Sequence, residues 1–362
     1  MATIHCFGVG LVGSYVAKKM AEQGHHVHAY DPLPSRVQGI PGVFVHEMDK
    51  NDDPLNVMIS QELFGDPSSL DSANSIVVNM LPGDIGHKIT ASLSEYPWRV
   101  VDLSFSEQTP EICNETAIRS GCSILWDTGI APGLSNMLLS EAYRNMGPLV
   151  GGIVRVGGNP TIPDSGWSYM APFSPKDVIA EYTRPARVIR DSGEVTLPAL
   201  SEKHEIYVPD KGKMEAFLTD GLRSLLHTIP SQKLSEFTVR WPGHIQKFMD
   251  ISNSGPINQE QLTKDWEYDS EIPEFTWMEV IADGSESKTM RWTVIDHGSS
   301  DGHSMARCTG LVTVSCIQEW LKNPQLLDAG VHPPEDLPSD VISRIISKMI
   351  LEGVQIDGPE IN

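Results

Sequence analysis

Over the first third of the chain, short apolar runs alternate with stretches whose apolar residues recur at helical spacing. That pattern predicts βαβ units and a parallel sheet. The runs are residues 3–9, 26–30, 42–46, 75–80, 99–103 and 123–126, six strands that make a complete doubly wound sheet. From residue 151 to 297 the pattern changes to polar and aromatic alternation, as at 236–241 and 275–282. The second of these runs passes through Asp283-Gly284 into another at 289–295, and Asp-Gly between alternating runs reads as a β-hairpin. A helix is predicted over 304–321, where Met305, Leu311, Val312, Cys316, Ile317 and Leu321 recur and Pro324 lies just beyond the end. The fold class is α/β: a doubly wound parallel sheet built from residues 1–134 with 304–362, enclosing an α+β domain of residues 135–303.

Length supports the same division, since 362 residues suit two domains. A hydrophobic share of 40% with 21% charged residues provides a packed core and excludes disordered, collagen-like and coiled-coil chains. Asp and Glu number 48 against 27 Lys and Arg, a net charge of −21 that repels phosphate backbones and anionic membranes. Neither nucleic acid nor a membrane is therefore expected as a partner. Cys6, Cys113, Cys122, Cys308 and Cys316 form no CxxC pair, and reduced thiols in the cytoplasm are expected. The opening MATIHCFGVG lacks the basic-then-apolar pattern of an export signal, and no apolar run reaches the roughly 18 residues of a membrane helix.

Gly8-Val9-Gly10-Leu11-Val12-Gly13 follows a predicted strand and opens a predicted helix over 14–20, the setting in which GxGxxG binds a dinucleotide. Gly8 permits the tight turn, Gly10 leaves room for a pyrophosphate, and Gly13 lets helix and sheet approach. The free N–H groups of the helix N-terminus face the phosphates. Asp31 ends the second strand, where a carboxylate accepts from the adenosine ribose hydroxyls and repels a 2′-phosphate. NAD is thus expected over NADP, although Arg36 is near enough in sequence to pair with a 2′-phosphate if Asp31 turned away. The first domain is accordingly of Rossmann type.

Ligands of an open α/β sheet sit outside the carboxyl ends of its strands. Three segments follow such ends: Asn79-Met80-Leu81-Pro82-Gly83, Asp102-Leu103-Ser104-Phe105, and the run from Asp127 through Thr128, Gly129, Ile130, Ala131, Pro132, Gly133, Leu134 and Ser135 to Asn136. With these motifs the chain resembles the saccharopine dehydrogenase-like superfamily of NAD(P) enzymes, and within it the branch of the lysine 6-dehydrogenases. The likeness continues in order through Val156-Gly157-Gly158, the segment from Glu181 to Ala186, the segment from Phe217 to Leu222, Arg240-Trp241-Pro242-Gly243-His244 and the segment from Ser304 to Gly310, nearly the whole chain. Asn159, where the lysine enzymes carry an apolar residue, and Trp241 in place of Tyr depart from that pattern and bear on the substrate. The resemblance implies cofactor contacts at the glycine loop, Asp31, Met80, Leu81, Pro82, Ser104, Gly129 and Pro132. It also implies a substrate pocket in the second domain, an amino acid as small-molecule substrate, and a homodimer.

Oxidising an amine by hydride transfer needs groups that exchange protons and a cation that holds the α-carboxylate, and it needs no metal. Asp102, at the end of a central strand, reads either as the acid/base group or as the cap of a turn through Ser104. Asp127 reads similarly, with an Asx turn as its structural role. The resemblance implies that His244 borders the active site, and its side chain is suited to proton exchange. Arg184, Arg240 and Arg307 are candidate carboxylate clamps, or else structural ion pairs, and Tyr182 joins them as a substrate-binding residue. Around His25, His26 and His28 no carboxylate or Cys completes a metal site. Gly298-Ser299-Ser300-Asp301-Gly302 spells GxSxG but follows an antiparallel hairpin strand, not a hydrolase strand. The reading is an NAD-dependent dehydrogenase acting on the ε-amine of lysine or a related diamino acid. Its rivals are a reductase joining an amine to an aldehyde, like saccharopine reductase or carboxynorspermidine synthase, and an NAD-binding regulator without turnover.

Overall fold

In a computed structural model, residues 1–60 and 74–361 are described. The chain divides into two compact units, Met1–Leu134 with Thr309–Lys348 and Ser135–Cys308 with Met349–Asn362.

The first unit is a parallel sheet. Its strands are Thr3–Phe7 (β1), His26–Asp31 (β2), Val43–Glu47 (β3), Ser75–Asn79 (β4), Arg99–Asp102 (β5) and Ser123–Trp126 (β6). The order runs β6-β5-β4-β1-β2-β3, reversing direction at β1, and Gly330–His332 adds a seventh strand outside β6. Six strands are predicted and seven form, because Gly330–His332 is too short to carry a periodic signal. It pairs parallel to β6 along its whole length. The central strands are buried along their length, as strands covered by helices on both faces must be. Phe7, Tyr30, Val77, Val100, Ile124 and Trp126 pack there with Leu93 and Trp98. The Arg99 guanidinium donates to the Trp320 carbonyl at 2.8 Å, tying β5 to the end of the helix Ser304–Lys322.

The second unit is a mixed sheet. Gly151–Pro160 lies parallel to Leu234–Arg240 and antiparallel to Glu274–Asp283. Glu274–Asp283 and Thr289–Asp296 form the expected hairpin, paired from Thr276↔Asp296 to Asp283↔Thr289. Its loop is longer than a two-residue turn and carries a 3-10 turn over Ser285–Ser287. The predicted assignment of everything after residue 304 to the first domain needs correction. Gln355–Asp357 pairs with Thr293–Ile295, so backbone hydrogen bonding carries Met349–Asn362 into the second unit. Among the described residues no helix is long and apolar enough to cross a membrane.

Candidate functional site

The turn from β1 into the helix Leu11–Glu22 has three glycines with three different surroundings. Gly8 has φ +83, and a Cβ there would stand 3.0 Å from the Met80 carbonyl oxygen. A Cβ at Gly13 would lie 2.2 Å from the Gly8 oxygen, closer than any side chain tolerates. A Cβ at Gly10 would meet nothing within 4 Å among the described residues. The loop is packed where helix and sheet meet and open where a phosphate would approach. No side chain caps the helix, so its first amides, Leu11, Val12 and Gly13, lack intrahelical acceptors. Asp31 braces the loop: Oδ2 accepts from the Val9 N–H at 2.7 Å and Oδ1 from the Leu33 N–H at 2.7 Å. Each carboxylate oxygen keeps a second acceptor site. These residues fit a dinucleotide.

The ends of β4 and β5 are held together by a buried polar network. Asn79 Nδ2 donates to the Gly86 carbonyl and to Thr90 Oγ1, both at 2.9 Å, and the Thr90 hydroxyl donates to Asp102 Oδ2. Asp102 Oδ1 accepts from the Ser104 N–H at 2.6 Å, the turn cap read from the sequence. Burial raises the Asp102 carboxyl to about 6 against the bonds from Thr90 and Ser104, with Asp127 adding to the rise. Helix Gly83–Leu93 lies flush on this loop. A Cβ at Gly83 would stand 2.1 Å from the Phe105 oxygen, and one at Gly86 would stand 2.3 Å from Ser104 Cβ. Met80 is fixed by its N–H to the Phe7 carbonyl at 2.9 Å, and Pro82 caps the helix, its carbonyl accepting from Gly86 N–H at 2.8 Å. Leu81 packs against the core beneath.

Asp127, at the end of β6, is buried and has φ 53, a left-handed conformation that Asp tolerates better than most residues. The loop after it folds on itself: Leu134 N–H donates to the Gly129 carbonyl at 2.9 Å, and a Cβ at Gly133 would meet the Gly129 oxygen at 2.0 Å. Pro132 follows a cis peptide bond. The Thr128 carbonyl accepts from Thr313 Oγ1 at 2.9 Å.

In the second unit, Tyr182, Arg240 and His244 meet. Arg240 Nε donates to the Tyr182 hydroxyl at 2.8 Å, and the guanidinium lies 4.4 Å from the centre of the Tyr169 ring. His244 Nδ1 is 3.0 Å from the Trp167 carbonyl and Nε2 is 3.1 Å from the Tyr182 hydroxyl. The carbonyl only accepts, so Nδ1 carries the proton and Tyr182 donates to Nε2. Burial, with the Arg240 charge beside it, lowers the His244 imidazole to about 3. A neutral ring with both nitrogens engaged serves as a fixed acceptor. Burial raises the Tyr169 phenol to about 12 despite Arg240. Tyr169, Ile245, Phe248 and Trp266 enclose the group.

The other two arginines are engaged by acids. Arg184 Nε lies 3.1 Å from Asp220, which also takes two bonds from the Arg187 guanidinium. Arg307 meets Asp296 at 2.9 Å, Asp301 and the Glu352 carbonyl. Trp241 Nε1 donates to the Pro160 carbonyl at 2.8 Å and Asn159 Nδ2 to the Val239 carbonyl at 3.2 Å, so both departures from the lysine-enzyme pattern are bonded to backbone.

Sequence reasoning passed over Glu181, Thr219, Glu236 and Thr238. Their signal was present: Glu236, Thr238 and Arg240 recur every second residue in a strand buried throughout. Sequence reasoning gave no sign that histidines from separate strands meet. His28 is stacked between His5 and His46 across three strands, with ring centroids 5.2 and 5.1 Å away. Among the described residues no group of three His, Cys, Asp or Glu side chains could hold a metal ion.

A Rossmann-type sheet with a glycine loop at its first strand end, followed by a mixed sheet with a buried Arg-Tyr-His group, defines a two-unit α/β class. The chain belongs to the saccharopine dehydrogenase family, for the family's C-terminal domain matches residues 129–354, well over half of the chain. The fold is similar to that of apo saccharopine dehydrogenase (L-Glu forming) from Saccharomyces cerevisiae, at 12% identity and a TM-score of 0.71 over 99% of this chain and 100% of that one. It is also similar to homospermidine synthase from Legionella pneumophila, solved with NAD, at 12% identity and a TM-score of 0.62 over 99% of this chain and 91% of that one.

Proposed function

We propose that this protein is an NAD-dependent amino acid dehydrogenase that oxidises the ε-amine of lysine or of a related diamino acid, working as a homodimer. The observation that carries the reading is the glycine loop, where Gly13 permits contact and Gly10 leaves open space above free helix amides. Asp31, its carboxylate at the end of β2, supports NAD over NADP.

When bound, the nicotinamide supplies the acceptor for the hydride that leaves the amine carbon. Leu11, Val12 and Gly13 would hold the pyrophosphate through their N–H groups. Asn79, Thr90, Asp102 and Ser104 hold the loops after β4 and β5 in one conformation, at the strand ends beyond which a cofactor of this sheet would lie. The substrate ammonium gives up a proton before the carbon can lose hydride, and water then releases ammonia. From lysine the product is 2-aminoadipate semialdehyde, which cyclises.

The deciding assay offers the purified protein NAD or NADP with lysine, ornithine, diaminopimelate or saccharopine and follows absorbance at the reduced-nicotinamide band. Growth with lysine or another diamino acid is expected, faster with NAD. Turnover of saccharopine alone moves the reading to a reductase that joins amine and aldehyde, and silence with all four overturns it.

A further inference from the structure

Strand Leu234–Arg240 is buried along its whole length, so its polar side chains must find partners inside the protein. Glu236 and Thr238 share one face, and Thr219 follows the neighbouring strand Gly212–Leu218. Their side chains form a row. The Thr219 hydroxyl meets Glu236 Oε2 and lies 2.9 Å from the Thr238 hydroxyl, which in turn meets Glu181 Oε1. The row reads carboxyl, hydroxyl, hydroxyl, carboxyl, with Glu181 the partly exposed end.

Counting protons decides how this row is charged. Its three contacts need three protons, and two threonine hydroxyls supply only two. With both carboxyls ionised, each hydroxyl turns to its own carboxylate, and the threonine oxygens face each other at 2.9 Å with lone pairs alone. One proton on a carboxyl removes the conflict: Glu236 donates to Thr219, Thr219 to Thr238, and Thr238 to Glu181. The surrounding charges favour that state. Glu181 and Asp220 are both acidic, Arg184 and Arg187 are paired with Asp220, and Arg240 donates to the Tyr182 phenol. Gly221 packs so closely that a Cβ there would be 2.6 Å from Glu236 Oε2. Burial first, then Glu181 and Asp220, raise the Glu236 carboxyl to about 8.

We propose that Glu236, Thr219, Thr238 and Glu181 are a proton relay that stores one proton at Glu236 and presents it at Glu181 to an amine bound in the second unit. Its use in turnover rests on the dehydrogenase reading, whereas the stored proton does not. As each oxygen passes its proton along, one O–H bond breaks at Glu236 and one forms at Glu181. The proton leaves Glu181 for the nitrogen, which departs as ammonia as the C–N bond breaks; the water that attacks the imine carbon gives up both its protons to solvent as the C=O bond forms, and the next substrate ammonium refills the relay.

Infrared difference spectra of the whole protein test the store without any substrate. A protonated-carboxyl C=O band is expected at neutral pH, lost as pH passes about 8. It should be absent from Glu236→Gln, whose amide still donates to Thr219 and preserves packing, and retained in Asp102→Asn. A spectrum unchanged by Glu236→Gln overturns the store. Thr238→Val cuts the row and leaves both carboxyls. With whichever amino acid is turned over, kcat should fall about tenfold or more, with KM within about twofold and the alkaline limb moved. Wild-type kcat and pH profile in Thr238→Val overturn the relay. Failure of every amino acid to react overturns the function above and leaves the spectra to judge the store.

Discussion

Single atoms decide how the glycine loop separates folding from binding. The hydrogen that Gly13 has in place of a Cβ is what allows the helix against β1, so Gly13→Ala should strain the loop by about 1–3 kcal/mol and lower both Tm and NAD affinity. The added methyl of Gly10→Ala meets nothing within 4 Å among the described residues, and the variant should leave Tm unchanged while raising the Kd for NAD, measured by fluorescence titration. A Kd unaffected by Gly10→Ala would place the pyrophosphate elsewhere. The histidine row makes a prediction of a different kind. Burial and the neighbouring imidazoles lower His5 to about 3 and His28 to about 4, against about 6.5 in an unfolded chain. The unfolded chain therefore binds more protons below about 6.5, and the stability these neutral rings contribute is lost as pH falls from there toward about 3. In His28→Phe, which keeps the stack on Phe44, the midpoint of acid unfolding should move to lower pH. The loop was legible because a spacing of glycines has a local cause. The histidine row was not, because β1, β2 and β3 meet only through the register of the sheet.

Elements show the same division. All six periodic strands of the first sheet form within one or two residues of their predicted ends, and the helix predicted over 304–321 forms over Ser304–Lys322. What sequence could not show is the start of that helix. Glu274, thirty positions earlier, accepts from the Ser304 N–H at 2.6 Å and from its hydroxyl, doing from a distant strand what a local capping residue does elsewhere. Glu274→Ala should cost about 1–2 kcal/mol, read as a lower midpoint in chemical denaturation, with Glu274→Gln losing less. A like distance hides the buried group of the second unit. Tyr182 comes from the helix Pro175–Thr183, Arg240 from a strand end and His244 from the next helix, and only packing makes one hydrogen-bonded chain of them.

At the scale of the molecule, the division into units turns on the last residues. Met349 and Val354 are buried, and Gln355–Asp357 extends the second sheet. Truncation after Lys348 should lower the stability of the second unit and speed proteolysis within 135–308, while cuts in the first unit remain slow. The net charge of −21 acts at the same scale. On the function proposed above, a cationic diamino acid is drawn toward the molecule, so its kcat/KM should fall as salt screens that attraction, with little change for a zwitterionic amino acid. Sequence by itself determined what depends on local spacing: the strand and helix periods, the glycine loop, the acid that ends the second strand and the colinear motifs of the family. Tertiary structure alone decided the rest. It assigned the C-terminus to the second sheet, the tautomer of His244, the ion pairs of Arg184 and Arg307, and the row from Glu236 to Glu181. Each of these depends on groups remote in sequence brought within a hydrogen bond's length, where burial makes pairing obligatory and proton counts become exact.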